Sequence, residues 1–167
     1  TEGGIWLATL GNGILRYHGD SFRQYELNAS RIGIDVFDII EEKPAQLLVA
    51  TDEGLYRVNA GYPSNSVTSK IIGSNIPSGS AVTSIEKGPG GKVWMGTDQG
   101  LYEYDGQSVS FSEYNRELFS TRINCLFLDE QARLWIGTDN GFHFFSAQES
   151  GFRNEETGLI HNEVQEI

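Results

Sequence analysis

A short pattern that recurs four times constrains the fold of this 167-residue chain more than any other feature. The copies read GGIWLATLGNGILRY, AQLLVATDEGLYRV, KVWMGTDQGLYEYDG and ARLWIGTDNGFHFF. They align on Thr9, Thr51, Thr97 and Thr138, so the successive spacings are 42, 46 and 41 residues. A period of this length, filled with strand-forming residues, is typical of a β-propeller or another β-repeat array.

A second sequence feature recurs with the same spacing along the chain. An apolar pair with the spacing V-x-x-I begins 15 residues before each of the last three threonines, and a fourth pair closes the chain. Two independent landmarks with one period indicate a true structural repeat. The four pairs are Val36 and Ile39, Val82 and Ile85, Ile123 and Leu126, and Val164 and Ile167.

Residues 81–114 show how one repeat is organised. AVTSI predicts a first strand, A, because apolar and polar residues alternate in it. KGPGGK predicts a turn, VWMGT strand B, DQG a second turn, LYEYD strand C, GQS a third turn and VSFSEY strand D. Each repeat is therefore predicted to be a four-stranded antiparallel sheet joined by tight hairpins.

The two faces of such a small sheet need cover, and no helical periodicity offers a helix to provide it. The sheets must cover each other, which predicts an all-β fold: a β-propeller fragment of about four four-stranded blades. Trp6, Trp94 and Trp135, with Leu48 in the second copy, are then predicted to pack between blades.

The turn after each repeat threonine carries Asp52, Asp98 or Asp139 in three copies. The alternating acids of a calcium-binding EF-hand loop are absent, so we interpret these residues as turn-forming, with Asp bonding nearby amides and Gly adopting positive φ. We assign the repeat signature to Trp6, Thr9, Gly13, Thr51, Gly54, Trp94, Thr97, Gly100, Trp135, Thr138 and Gly141.

The landmarks also predict the blade boundaries within one propeller domain. Residues 1–30 are a partial blade with strands B to D, residues 31–75, 76–116 and 117–158 are blades, and residues 159–167 are the first strand of a following blade. We read the chain as a piece of a longer protein. Its last strand could pair with residues 5–9 of the same chain, or of a second copy in a homodimer that completes a propeller ring.

The amino-acid composition argues against some classes of binding partner. The 23 acidic and 12 basic residues give a net charge of −11, which argues against nucleic acid and anionic membrane surfaces. No segment is long and apolar enough to be embedded in a membrane. Cys125 is the single cysteine, so an intrachain disulfide is excluded, and its apolar neighbours predict a buried, unreactive thiol.

The sequence offers no constellation typical of an enzyme. His18, His143 and His161 lie in different repeats and form no H-x-H or H-x-x-x-H pair. There is no G-x-S-x-G motif, and the GPGG stretch lacks the Lys and Ser or Thr of a phosphate loop. We therefore expect no catalytic residues, no metal site and no cofactor in this segment.

GKVWMGTDQGLYEYDG and ARLWIGTDNGFHFF resemble the two-component regulator propeller repeat, whose pattern is a glycine-flanked lWigT-x-x-Gl-x-x-y behind a V-x-x-I strand. The likeness recurs four times over nearly the whole chain, and AQLLVATDEGLYRV departs from it by lacking Trp. The resemblance implies a periplasmic sensor region in front of a transmembrane helix and a histidine kinase. Such regions often belong to hybrid two-component systems of Bacteroides and its relatives that respond to glycans.

The resemblance therefore predicts a ligand-sensing or signal-relay segment with an oligosaccharide as partner. The D-to-A loops of a propeller meet at one rim, and their donors suit a sugar or a carboxylate. The rival prediction is a secreted propeller enzyme, a glycosidase or lyase, with two carboxylates from different blades. Missing Trp-Asp dipeptides argue against a WD-type interaction propeller. The candidate binding residues are Arg31, Arg122, His161 and Asn162.

Overall fold

The computed structural model describes residues 4–25, 27, 33–60, 68–71, 76–77 and 79–167. The chain divides into two compact units, Thr1–Ile72 and Gly73–Ile167. Both units consist of antiparallel sheets whose strands pair in chain order. The predicted all-β architecture of propeller blades is confirmed.

The first unit contains two sheets. One has three strands in the order β1-β2-β3, and the other has four in the order β4-β5-β6-β7. Their bounds are β1 Ile5–Ala8, β2 Ile14–His18, β3 Ser21–Tyr25, β4 Val36–Lys43, β5 Gln46–Thr51, β6 Gly54–Asn59 and β7 Thr68–Ile71.

The second unit contains two four-stranded sheets, β8 to β11 and β12 to β15. Short 3₁₀ turns follow three strands, at Pro89–Gly91, Glu113–Arg116 and Glu155–Thr157. The strands are β8 Val82–Lys87, β9 Val93–Thr97, β10 Gly100–Tyr104, β11 Val109–Phe111, β12 Ile123–Leu128, β13 Leu134–Thr138, β14 Gly141–Phe145 and β15 Ser150–Arg153.

The repeat threonine, rather than the aspartate after it, organises the turn between strands B and C. In the third repeat the Thr97 hydroxyl donates to the Gly100 carbonyl (2.7 Å) and accepts from the Gln99 amide (3.0 Å). Thr51 and Thr138 repeat both bonds in their own turns. All three side chains are fully buried, so these bonds satisfy groups that water cannot reach.

Two of the three turn aspartates, Asp52 and Asp139, bond outside their own turns, which corrects our interpretation of these two residues. Asp52 accepts from the amide of Asp35 (3.2 Å), and Asp139 accepts from the hydroxyl of Ser120 (2.5 Å). Both partners lie in the chain that enters strand A of the same sheet. The aspartate therefore anchors the entry to a blade, while the threonine and the positive-φ glycine shape the turn.

Trp6 and Trp94 pack against the following sheet of their own unit, in the core positions predicted for them. Trp6 joins the core of the first unit and lies 5.2 Å from the ring of Tyr25. Trp94 is only 6% exposed. The buried residues that share its core are Leu101, Ile123, Leu126, Leu134, Ile136 and Phe145. Leu48 is fully buried as well.

Trp135 has a different environment. Its ring lies 5.1 Å from that of Phe144 in its own sheet and under the guanidinium of Arg133, and its indole N–H donates to Asp129 (2.8 Å). It is half-buried rather than buried. Burial alone would raise the pKa of Asp129, but hydrogen bonds from Trp135 and Arg133 lower it to about 2. The indole is thus held by a charged acceptor instead of by a neighbouring sheet.

Hydrogen bonds connect the A strands of the second unit directly. Thr83 Oγ1 donates to the Ile123 carbonyl (2.7 Å), and Ser84 Oγ accepts from the Leu126 amide (3.1 Å). A register shift between Val82 and Ser84 turns these polar side chains toward the neighbouring sheet. Adjacent blades are therefore joined by side chain-to-backbone bonds in addition to apolar packing.

Residues 159–167 form no regular strand, in contrast to the strand expected there. No described strand pairs with them, and an extended segment needs a partner to form a ladder. Val164 is nevertheless docked on the last sheet: its amide donates to the Thr138 carbonyl (2.9 Å), and its carbonyl accepts from Asn124 (3.0 Å). Val36 bonds to Thr9 in the same way in the first unit (3.0 Å).

Cys125 is half-buried beside Gly137, at the point where β12 shifts register. Burial raises the pKa of its thiol to about 11, which the amide of Gly137 opposes only in part. The thiolate is the reactive form of cysteine, so this thiol is unreactive at neutral pH.

Candidate functional site

Two predicted binding residues lie on either side of one turn, Thr138–Gly141 of the last sheet. The amide of Arg122 donates to Ser120 Oγ, which in turn donates to Asp139. On the other side, the Asn162 carbonyl accepts from the amide of Gly141 (2.6 Å). The backbone at both positions is thus tied to the same turn. Arg31 lies outside the described residues.

The polar atoms of His161 and Asn162 already serve the local fold. His161 Nδ1 accepts from the amide of Glu163 (3.1 Å). Asn162 Oδ1 accepts from the amide of Glu155 (2.7 Å), and the Asn162 amide donates to the carboxylate of Glu155 (3.2 Å). These contacts hold the segment behind the last sheet, and they leave Arg122 as the exposed candidate with a free guanidinium among the described residues.

A cavity of about 420 Å³ lies elsewhere in the second unit, and we call it the His143 groove. Residues 116–119, which connect the two sheets, form one wall, and strands β14 and β15 form the other. Its volume falls in the range of ligand pockets, roughly 300–1,000 Å³. The lining residues are Arg116, Glu117, Leu118, Phe119, His143, Phe145, Ser150, Gly151 and Phe152.

His143 is the buried polar group of this groove, at 2% exposure. Its Nε2 accepts from the backbone amide of Phe119 (3.3 Å), and its ring lies 4.5 Å from that of Phe152. Burial lowers the pKa of His143 to about 4, although the Glu117 carboxylate acts in the opposite direction. The imidazole is therefore neutral at physiological pH, with its proton on Nδ1.

The charged residues of the groove are at its opening. Arg116 and Glu117 are both exposed, and the Glu117 carboxylate accepts from Ser150 Oγ (3.1 Å). The Arg116 guanidinium has no hydrogen-bond or ion-pair partner within the described part of the chain. The groove thus offers donors, an acceptor and aromatic surface at one place.

Sequence reasoning noted His143 only as an isolated histidine. It occupies a buried position of β14, opposite Ile136, where the other repeats have Leu15, Tyr56 and Tyr102. A histidine at this position of the repeat was the available signal. The second wall could not be found this way, because it comes from the connection between two repeats.

A second cavity of about 400 Å³ opens beside Trp94 and the β13 side of the last sheet. The indole N–H of Trp94 is buried without a partner among the described residues. Gly88 stands where the next repeat has Asp129, and a Cβ at Gly88 would approach the Trp94 ring to 2.8 Å. In the third repeat, therefore, no carboxylate accepts from the indole N–H, and the backbone of Gly88 packs closely against the indole ring instead. No group of His, Cys, Asp and Glu in the described ranges is arranged to hold a metal ion.

Within each unit, the packed antiparallel sheets have the form of β-propeller blades. Residues 117–140 match the family described as two component regulator propeller, so the chain contains a repeat of that family and the resemblance is confirmed. No curated protein sequence matches the chain. None of the described helices is long and apolar enough to cross a membrane.

Solved structures with the same fold include two from B. thetaiotaomicron. One is the extracellular domain of BT3049, named as a hybrid two component system, with a TM-score of 0.80 and 20% identity over 98% of this chain. The other is the extracellular domain of BT4673, named as a one component system, with a TM-score of 0.76 and 24% identity over 98% of this chain. This chain spans 23% of the length of each.

The fold also occurs outside two-component systems. PorZ, a surface component of the type-IX secretion system of Porphyromonas gingivalis, matches 98% of this chain with a TM-score of 0.69 and 13% identity. At such identities the likeness establishes the fold and leaves the function to be argued from other observations.

Proposed function

We propose that the chain is a ligand-sensing or signal-relay propeller segment from the extracytoplasmic region of a hybrid two-component sensor histidine kinase, located in the periplasm. The supporting observation is the match of residues 117–140 to the two component regulator propeller family, within a fold that follows the extracellular domain of a hybrid two component system over 98% of this chain. The segment itself would carry out no reaction. The ligand that we propose is a glycan.

The fold suits relay of a binding event. In the second unit the neighbouring A strands are linked by hydrogen bonds, and in the first unit the A strand β4 bonds to Thr9, which follows a B strand. A displacement of one blade therefore changes the bonds to the next. A ligand shifts such a system only through its differential affinity for two arrangements. In the parent kinase, that shift would pass to the membrane helix.

A glycan array tests this function. The complete extracytoplasmic region and the isolated 167-residue chain would be labelled and applied to the same array of oligosaccharides. We expect the complete region to bind a defined subset of glycans. Binding by neither protein to any glycan would contradict the proposed ligand, and a parent gene without a kinase domain would contradict the proposed receptor.

A further inference from the structure

We propose that the His143 groove binds a neutral, hydroxyl-rich ring, the chemistry that a sugar residue presents. The inference rests on the proposed glycan-sensing function and assigns it a particular site. It differs from our sequence-based expectation, which placed binding at Arg31, Arg122, His161 and Asn162. The argument depends on the donors, the acceptor and the apolar wall of the groove.

His143 supplies a preorganised donor. Its Nε2 is occupied by the Phe119 amide, so the neutral ring carries its proton on Nδ1. This N–H has no hydrogen-bond partner among the residues that the structure describes. It is not one of the polar atoms that are buried without a partner, so it is open to the groove and can donate to a ligand oxygen.

Arg116 and Glu117 bear on whether the groove favours a neutral or a charged ligand. The guanidinium is a donor that the described protein does not use, and the carboxylate, which takes one bond from Ser150, has acceptor capacity left. A hydroxyl group can both accept from the first and donate to the second. An acidic ligand would meet the Glu117 carboxylate and a chain of net charge −11, so charge favours a neutral ligand.

Aromatic rings form the remaining wall. Phe119 and Phe152 lie 4.5 Å apart, and Phe119 is 66% exposed although it is large and apolar. A sugar ring has C–H groups on its faces and hydroxyls at its edge, so it can cover these rings while its edge reaches the polar groups. Covering Phe119 also removes apolar surface from water.

The test uses the 167-residue chain and saturation-transfer NMR with glucose, galactose, mannose and their neutral disaccharides, and with glucuronate and galacturonate at equal concentration. We expect transfer to at least one neutral sugar. Arg116→Ala and Glu117→Gln should each weaken its binding by about ten-fold, the effect of losing one hydrogen bond to a charged group. Arg23→Ala is the matched control, since it removes an exposed arginine that does not line the groove.

The outcomes separate the site from the function. Loss of binding in the two groove variants, with unchanged melting temperatures and unchanged binding by Arg23→Ala, supports the proposal. Equal binding by all variants, or binding by the complete extracytoplasmic region alone, overturns the groove and leaves the glycan function standing. Preferential binding of the uronates overturns the choice of a neutral ligand. A shift of the His143 Nδ1 resonance on adding sugar identifies the donor directly.

Discussion

Each repeat threonine exchanges two hydrogen bonds with its own turn while it is fully buried. Thr97→Val keeps the volume but removes both bonds, so the Gln99 amide and the Gly100 carbonyl lose their partner. We expect a loss of about 1–3 kcal/mol in the free energy of unfolding, measured by urea denaturation. Thr121→Val, at an exposed position, should change it by less than about 0.5 kcal/mol. Equal losses of unfolding free energy in Thr97→Val and Thr121→Val would contradict the proposed stabilising role of the repeat threonine.

His143 predicts a particular pH dependence. The pKa of His143 is about 4 in the folded chain, against an ordinary value of 6.5, which we take for the unfolded chain. Between pH 4 and pH 6.5 the unfolded chain therefore binds more protons than the folded chain. Stability that is complete above pH 6.5 is therefore lost as the pH falls toward 4, on the order of 2 kcal/mol for this residue.

Urea unfolding at pH 7, 5.5 and 4.5 checks this dependence. His143→Phe should lose less stability than the wild type over that interval, because a phenylalanine does not titrate. His161→Phe serves as the control at an exposed position and should follow the wild type. A wild-type curve parallel to that of His143→Phe would contradict the prediction.

At the level of single elements, the two sheets of the second unit come close together at a glycine of strand B, Gly96. A Cβ on Gly96 would lie 2.5 Å from Ile123 Cγ2 in the next sheet. Gly96→Ala should therefore destabilise the second unit by about 1–3 kcal/mol through overpacking.

A double-mutant cycle measures this contact. Ile123→Ala removes the obstructing Cγ2, so the double variant should be more stable than the sum of the two single losses predicts, by about 1 kcal/mol. Thermal and urea unfolding of the four proteins supply the values. Strict additivity would mean that the two positions do not touch.

Strands B and C were predictable because a turn signal lies between them and their apolar residues alternate. Strand D of the third repeat was not, since VSFSEY continues the alternation while the strand ends at Phe111. Ser112 then caps a 3₁₀ turn by accepting from the Tyr114 amide (3.4 Å). The register shifts in the A strands were also invisible, because they depend on bonds to the neighbouring sheet.

At the scale of the whole molecule, one edge strand and one unpaired segment offer strand-pairing surfaces. β1 pairs only with β2 among the described strands, with Ile5 60% and Leu7 37% exposed, and residues 164–167 belong to no strand. Such edges pair readily. We predict that two copies associate, with the terminal segment of one adding to β1 of the other as in our proposed ring.

Sedimentation velocity at micromolar concentration should show a dimer of the 18.5 kDa chain. Leu7→Lys should shift it toward the monomer by placing a charge on the edge strand. Leu10→Lys introduces the same charge at an exposed position outside β1 and should leave association unchanged. A single 18.5 kDa species in the unmodified protein would end the dimer proposal.

The overall fold could be predicted from the sequence because the same pattern of strands and turns recurs in each repeat. The His143 groove was not, since its walls belong to successive repeats and the loop 116–119 is positioned by Leu118 and Tyr114 packing on the core. Arg122, His161 and Asn162 were chosen as polar loop residues. Loop polarity alone does not distinguish a residue that binds a ligand from one that, like Asn162, holds its own loop.

Thr83 and Asn124 occupy the same position in successive repeats, and each reaches one step ahead, to the carbonyls of Ile123 and Val164. A contact that points to the next copy, as it does in these two repeats, can be reproduced by a similar copy inserted in frame. Gene duplication of one complete period would therefore create a junction that is compatible at once, whereas a partial duplication would leave it unmatched. Propellers assembled this way can lengthen or shorten during evolution by whole blades.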